Sequence, residues 1–482
     1  MKGCGNVENI PFIASSESRL KRLEQLRRFF VSKPFMLFCV LIGCVVTVTR
    51  TEFAGLLFFG VIILVMLLVC DELVATTLPF MMISCIMVKC YDSFSTYVKL
   101  VWLFPLCAIV FFAHFFLYKK PIKVGSTIWS LIFVSISVFL GGMGVLPAKD
   151  YFSLTSLYYM VGLGPAMILV YVVIYSYFGE SKNSDSKQLF AYAMTLGCLM
   201  ACLMVLLHYA VNIEKVIEHR SILEPQWRNN VSTIIMLTMP FPFYLSIKKT
   251  RYFAAALITL PCLVLSSSRG GLIFGAAEFA LCCIYILYTD KKHRNLYLII
   301  FAICGCALIF MAGDILSFIS KTLARFGFED MSNEPRAGLF QRAIENFRDN
   351  PVFGYGIGYM GNRDIHPSKE FAACWYHSSP FQIIGSFGII GIFAFGYQFI
   401  RRNTIFWSKI TYYTLAIYIS YIGILMMSLV NPGEFCPIPY ELLVVMMFAI
   451  LEKSCPKNKE RILFWGKYAA SEKEEIKEAV NI

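Results

Sequence analysis

Three residues in this chain have types and surroundings suited to a single kind of chemistry. Arg269 stands in "LVLSSSRGGLIFG", Arg336 opens "RAGLFQRAIENFRDNPVFGYGIG", and His377 begins the apolar run of "CWYHSSPFQIIGSFGIIG". A fixed guanidinium stabilises negative charge that builds on a phosphate or another oxyanion. A neutral imidazole takes up a proton near pH 7. The serines and glycines around Arg269 allow backbone N–H groups and a helix start to face the same way, an arrangement that favours an anion. Each residue also has a plainer reading. Interfacial arginines commonly snorkel or contact lipid phosphate, and a histidine at a helix start is commonly a satisfied interfacial group. The plainer reading is weakest at Arg269, whose turn is too small to give its stem apolar surface to cover.

The elements that must hold these groups are set by composition. The chain has 482 residues, 58% hydrophobic and only 15% charged, which is too apolar for a soluble domain of ordinary surface. The fold class expected is all-α: a polytopic membrane protein with about 12–14 transmembrane helices. Lys and Arg exceed Asp and Glu by 43 to 31, but the excess falls in short loops and the two tails. It therefore reports topology rather than a ligand, and nucleic acid is not implied. Most of the 17 cysteines lie inside apolar runs, where Cys packs as a small apolar residue. Cys374 and Cys436 would share one side, either as a pair or as two free thiols. No His or Cys cluster has zinc spacing, so neither metal nor other cofactor is expected.

A bilayer core needs roughly 20 apolar residues as helix. Apolar segments start near Pro34, Glu52, Leu73, Val98, Val124, Leu157, Leu189, Val231, Tyr252, Gly270, Leu296, Ser378, Ile405 and Pro437. With the N-terminus inside, alternate loops read "YKKPIK", "ESKNSDSK", "KKTR", "DKKHR" and "RRN", followed by a basic C-terminal tail. All are cytoplasmic by the positive-inside rule. The hairpin around Asp71 and Glu72 is the misfit, having no positive charge of its own. Residues 1–33 are expected to form a cytoplasmic basic amphipathic tail, 34–452 the transmembrane domain and 453–482 a second cytoplasmic tail. A long extracytoplasmic loop spans 314–376. Its segment from Arg336 has apolar residues at helical spacing (Leu339, Ala343, Ile344, Phe347), ended by Asn350-Pro351 and glycines, and suits a surface helix.

In order and separation, "SSSRGG", "R-x14-NP-x2-GYGIG" and "HSSPFQIIGSFGIIG" resemble the signature of the O-antigen ligase and polymerase family of bacterial membrane glycosyltransferases. The likeness covers roughly Pro225 to Gly391, including "RNNVSTIIMLTMPFPF". Ser378 stands where the family usually has Asn, and Phe340 where it usually has Trp. The resemblance implies a glycan donor on an undecaprenyl diphosphate carrier and a glycan or lipid-glycan acceptor. It places the work on the outer side of a bacterial cytoplasmic membrane with both termini inside. Under it, His377 is the base, Arg269 and Arg336 bind the diphosphate and Arg228 joins them, with Arg220 and Glu278 in supporting roles. Glu278, about two turns into its span, is expected to form a buried pair. His219 and His366 read as loop surface residues, His114 and His208 as packing. The rival reading is a transporter or flippase for lipid-linked oligosaccharide, which predicts charged or broken-helix sites at midspan and inverted repeats.

Overall fold

The computed structural model describes residues 17–70, 72–88, 102–118, 121–142, 159–179, 185–214, 223, 225–310, 313, 336–357, 376–431, 433, 438–455 and 461–464. It is an all-α bundle. The first helices follow from local signals. The basic helix α1 (Glu17–Phe30) meets α2 (Lys33–Thr49) at a bend of 58°. The Ser32 hydroxyl accepts from Phe35 N–H at 3.3 Å and Pro34 fits the first turn, so α2 starts there. Next come α3 (Glu52–Val69), a 3-10 turn (Leu73–Thr76), α4 (Thr77–Met87), α5 (Leu103–Tyr118), α6 (Thr127–Gly142), α7 (Pro165–Tyr177) and α8 (Ser186–Val211). The α1 helix also accounts for the misfit hairpin. Arg27 donates from Nε to the Val69 carbonyl at 2.7 Å, so a cation from the tail covers the end of α3.

Prolines and serines divide the next part of the chain into α9 (Pro225–Thr238), α10 (Pro240–Lys248), α11 (Tyr252–Leu257), α12 (Thr259–Ser266) and α13 (Arg269–Thr289). The remaining helices are α14 (Arg294–Phe310), α15 (Arg336–Asp349), α16 (Ser379–Ser408), α17 (Tyr412–Ser428) and α18 (Ile438–Lys453). Among the described residues, six stretches are long and apolar enough to cross a membrane: 52–69, 159–177, 186–211, 227–248, 269–289 and 379–408. The shorter apolar helices have 10–17 residues. Every apolar segment read from the sequence has a helix or a broken pair of helices. The thirteenth begins at Tyr412 instead of near Ile405, because α16 continues to Ser408.

The basic loops gather at one end of the bundle. Lys248 approaches Asp185 at 3.9 Å, the Tyr297 hydroxyl donates to the Asp290 carboxylate at 2.8 Å, and the Tyr285 hydroxyl donates to the Tyr412 carbonyl at 3.0 Å. At the same end Glu452, almost wholly buried, accepts from Ser126 N–H at 2.8 Å, from Thr127 N–H at 3.1 Å and from the Tyr171 hydroxyl at 2.6 Å. A carboxylate at the start of α6 satisfies its first N–H groups and its dipole. Two short strands not expected from the sequence, β1 (Ile122–Val124) and β2 (Arg461–Phe464), pair antiparallel there.

Candidate functional site

Arg269 is the first residue of α13 and is exposed. The turn before it is unusual: Ser267 has φ 57° and ends α12 in the left-handed region. Ser268 then caps α13, its hydroxyl accepting from Gly271 N–H at 3.1 Å. The same hydroxyl donates to the Asn229 side-chain oxygen on α9 at 2.8 Å. The two helices approach so closely that a Cβ on Gly271 would overlap Ser232. Arg228, one residue before Asn229, donates from Nε to the Leu223 carbonyl. Arg228 and Arg269 are thus carried on two helix ends joined by a hydrogen bond.

His377 is a further strained position, with φ 52° just ahead of Ser378, the residue that precedes α16. Ser267 and His377 are two of the three non-glycine residues with positive φ among those described. Such a residue costs about 1–3 kcal/mol and persists only where its surroundings hold it, commonly at functional sites. For His377 the surroundings are visible. Tyr376 is fully buried, its N–H donates to the Gln382 side-chain oxygen at 3.2 Å, and its hydroxyl accepts from Asn346 of α15 at 2.5 Å. Its ring fills the space where Gly385 has no side chain.

The helix of the long loop runs beside α16. Phe340 stacks on Phe381 with ring centres 4.2 Å apart and planes 7° from parallel, so the first turns of α15 and α16 are neighbours. Arg336, of which only the backbone is described, opens α15 one turn before Phe340. After α15 the chain enters a break in α16, where Gly388 has φ 59° and ψ −150°. Tyr355 N–H donates to Gly385 O at 3.0 Å and Gly356 N–H to Ser386 O at 2.9 Å. In return Ile389 N–H donates to Pro351 O at 2.7 Å and Ile390 N–H to Val352 O at 3.2 Å. The backbone groups released by the break are therefore paired, as a low-dielectric interior requires.

Packing decides which end of the bundle these groups share. Helices α16 and α17 are joined by Lys409–Thr411 at the basic end, so His377 and Val430 lie at the opposite end. A Cβ on Gly270 would touch Val430 and Met427, which brings the start of α13 to the end that holds His377. Arg228, Arg269, the start of α15 and His377 accordingly occupy one end, away from the basic loops.

Arg220, His219, His366, Cys374 and Cys436 lie outside the described residues. Glu278 is fully buried against Gly423 of α17. The buried pair expected for it is not found: among the described residues neither carboxyl oxygen has a hydrogen-bond partner. His114 packs as expected, between the Leu67 carbonyl and the Tyr177 hydroxyl. His208 packs beside Trp227 with ring centres 4.7 Å apart. The described residues contain no group of three or more His, Cys, Asp or Glu able to hold a metal. Asn229 lies in the family-like segment "RNNVSTIIMLTMPFPF", whereas Asn346 and Tyr376 carry no catalytic signature in the sequence and are marked only by their contact with each other.

No curated protein and no solved structure matches the chain. A family model described as O-antigen ligase matches residues 254–396, a segment that contains Arg269, Arg336, His377 and the break in α16. Over that segment, which carries the motifs and the packing just described, this multi-pass membrane protein is similar to the O-antigen ligases.

Proposed function

We propose that the protein is a glycosyltransferase that moves a glycan from an undecaprenyl diphosphate carrier to an acceptor hydroxyl, polymerising or ligating a cell-surface polysaccharide. The reaction takes place on the outer side of a bacterial cytoplasmic membrane, with both termini and the basic loops inside. Residues 1–33 and 453–482 are the cytoplasmic tails and 34–452 the membrane domain. The acceptor oxygen attacks the anomeric carbon, and the bond from that carbon to the diphosphate oxygen breaks. The carrier leaves as its diphosphate with the bonding electrons, and the acceptor proton passes to the imidazole of His377. Attack opposite the leaving group inverts the anomeric configuration.

Each residue has a physical reason for its part. A sugar hydroxyl is a poor nucleophile until a base takes its proton during attack, and imidazole is poised for this near neutral pH. The leaving diphosphate gains charge, which Arg269, Arg336 and Arg228 stabilise as fixed donors, without a metal. Glu278 and Arg220 are assigned supporting roles only. The single observation that supports this reading is that the three motifs lie at the same end of the bundle, opposite the basic loops.

The test is reconstitution of the purified protein with an undecaprenyl diphosphate oligosaccharide and candidate acceptors. Wild type should release carrier diphosphate as glycan is lengthened or attached, with His377→Ala slower by more than about a hundredfold. Full activity in that variant removes the mechanism. Movement of lipid-linked sugar across the bilayer without bond formation would establish a transporter instead.

A further inference from the structure

The Asn229 side chain carries a feature that the arginines do not explain. Its oxygen accepts from the Ser268 hydroxyl at 2.8 Å. The hydroxyl is the donor in this bond, and it also accepts from Gly271 N–H at 3.1 Å. The orientation of the amide follows: oxygen toward Ser268, NH2 away from it. Ser268 is almost wholly buried, so water does not compete for this bond, whereas Asn229 is half-buried. The Asn229 carbonyl accepts from Ser232 at 2.9 Å and Thr233 at 2.7 Å, fixing the residue's backbone as well. Among the described residues the NH2 group has no partner. Asn229 follows Arg228 in the chain, and Ser268, to which it is bonded, precedes Arg269.

We infer that the Asn229 amide is a further diphosphate-binding donor, held by Ser268 to present its N–H groups to an anionic oxygen between Arg228 and Arg269. The inference rests on the proposed function and adds a neutral donor to its cationic set. An amide donor whose orientation is locked costs little reorganisation when the ligand arrives, and a hydrogen bond to a charged oxygen is stronger than one to a neutral oxygen.

Two variants separate a donor from a strut. Asn229→Asp keeps an acceptor for the Ser268 hydroxyl but replaces the NH2 with a negative oxygen; Asn229→Ala removes both. If the NH2 meets the diphosphate, the aspartate variant is the worse. The donor-lipid KM should rise by about tenfold in Asn229→Ala and about a hundredfold in Asn229→Asp, from the loss of a charge-assisted bond and then added repulsion. Inhibition by inorganic pyrophosphate should weaken in the same order. An aspartate variant close to wild type beside an impaired alanine variant would make Asn229 a strut and overturn the inference, as would two variants of unchanged donor KM.

If Asn229→Asp does not fold, Ser268→Ala supplies the reading. Releasing the amide should raise donor KM several-fold with kcat little changed, and an unchanged KM overturns the inference. Phosphatidylglycerol vesicles should not relieve or mimic pyrophosphate inhibition; equal competition would assign the donor to a lipid headgroup and overturn it too. Wild type that transfers no glycan and is indifferent to pyrophosphate defeats the proposed function itself. Wild type that does both, with Asn229 variants in the wrong order, defeats only the inference.

Discussion

The Ile389 N–H donates to the Pro351 carbonyl at 2.7 Å, across a break in the helix that follows His377. Four backbone hydrogen bonds cross this break, so α15 and α16 are held together by main-chain bonds as well as side-chain packing. The start of one helix carries Arg336 and the start of the other follows His377. A rigid connection below them fixes their relative depth, which is what the proposed base and the proposed anion-binding group need if they are to serve the same substrate.

The break depends on glycine. Gly388 has φ 59°, and a Cβ there would lie 2.5 Å from the Pro351 carbonyl oxygen and 2.7 Å from that of Val352. Gly388→Ala should therefore destabilise the protein by at least about 1–2 kcal/mol from the left-handed conformation alone, and by more from the backbone overlap. Thermal unfolding in detergent, followed together with transfer activity, should show both falling; an unchanged midpoint would contradict the account.

Tyr376 is the residue through which α15 acts on His377. Asn346→Leu removes the donor to the Tyr376 hydroxyl at nearly constant volume and leaves that buried hydroxyl short of a partner. The expected loss is about 1–3 kcal/mol of stability. Its kinetic mark should be a lowered kcat with donor KM little changed, because the proposed base is displaced while the proposed diphosphate site on α9 and α13 is not touched. Steady-state kinetics over a range of donor concentration tests this.

Arg402 and Glu441 form a buried pair, 2.5 Å apart, that ties the far part of α16 to the first turn of α18. The guanidinium lies 5.5 Å from the Tyr421 ring centre and 5.3 Å from that of Phe448. Removing one partner breaks a charge-assisted bond in a low-dielectric interior, so Arg402→Met or Glu441→Leu alone should cost about 1.5–3 kcal/mol. The double replacement should cost less than the sum of the two, since their shared bond is lost only once. Unfolding midpoints of the two single variants and the double variant give the answer.

Asp290, just beyond α13 at the basic end, predicts an acid limit to stability. Burial acts to raise its pKa, but hydrogen bonds from His293 and Tyr297 outweigh it and hold the carboxyl below its ordinary value of 3.8. The folded state therefore binds this proton less readily than the unfolded state. The stabilisation is present above the ordinary carboxylate pKa and fades as pH falls through the lowered one. Asp290→Asn should flatten that part of the stability curve below about pH 4. Unfolding midpoints of wild type and variant between pH 3 and 6 would show parallel curves if Asp290 had no such part.

Much of this was legible in the chain because the signals are local. Apolar length marked the helices of the bundle other than α1 and α15, and the run of basic loops marked one end of it, since a bilayer penalises charge wherever it falls in a span. The Asp71–Glu72 hairpin resisted the rule because its cation, Arg27, comes from another element and meets it only in three dimensions. Arg269, Arg336 and His377 stood out by residue type and by the small residues around them. Glu278 was equally visible, but its surroundings were misjudged: depth in a span is readable from position, whereas the neighbour across the helix interface is Gly423, a residue with no charge to offer.

The sequence by itself determined that the protein is a helical membrane protein, where its helices fall, and which few polar groups stand at their ends. Periodicity, capping residues and charge are properties of short segments, and the bilayer reads them segment by segment. Only the tertiary structure decided that α15 lies along α16, that the turn after it fills the break at Gly388, and that Ser268 reaches Asn229. Those contacts join residues distant in sequence, and they exist because separate helices pack closely enough for one backbone to occupy the space where another has only a hydrogen.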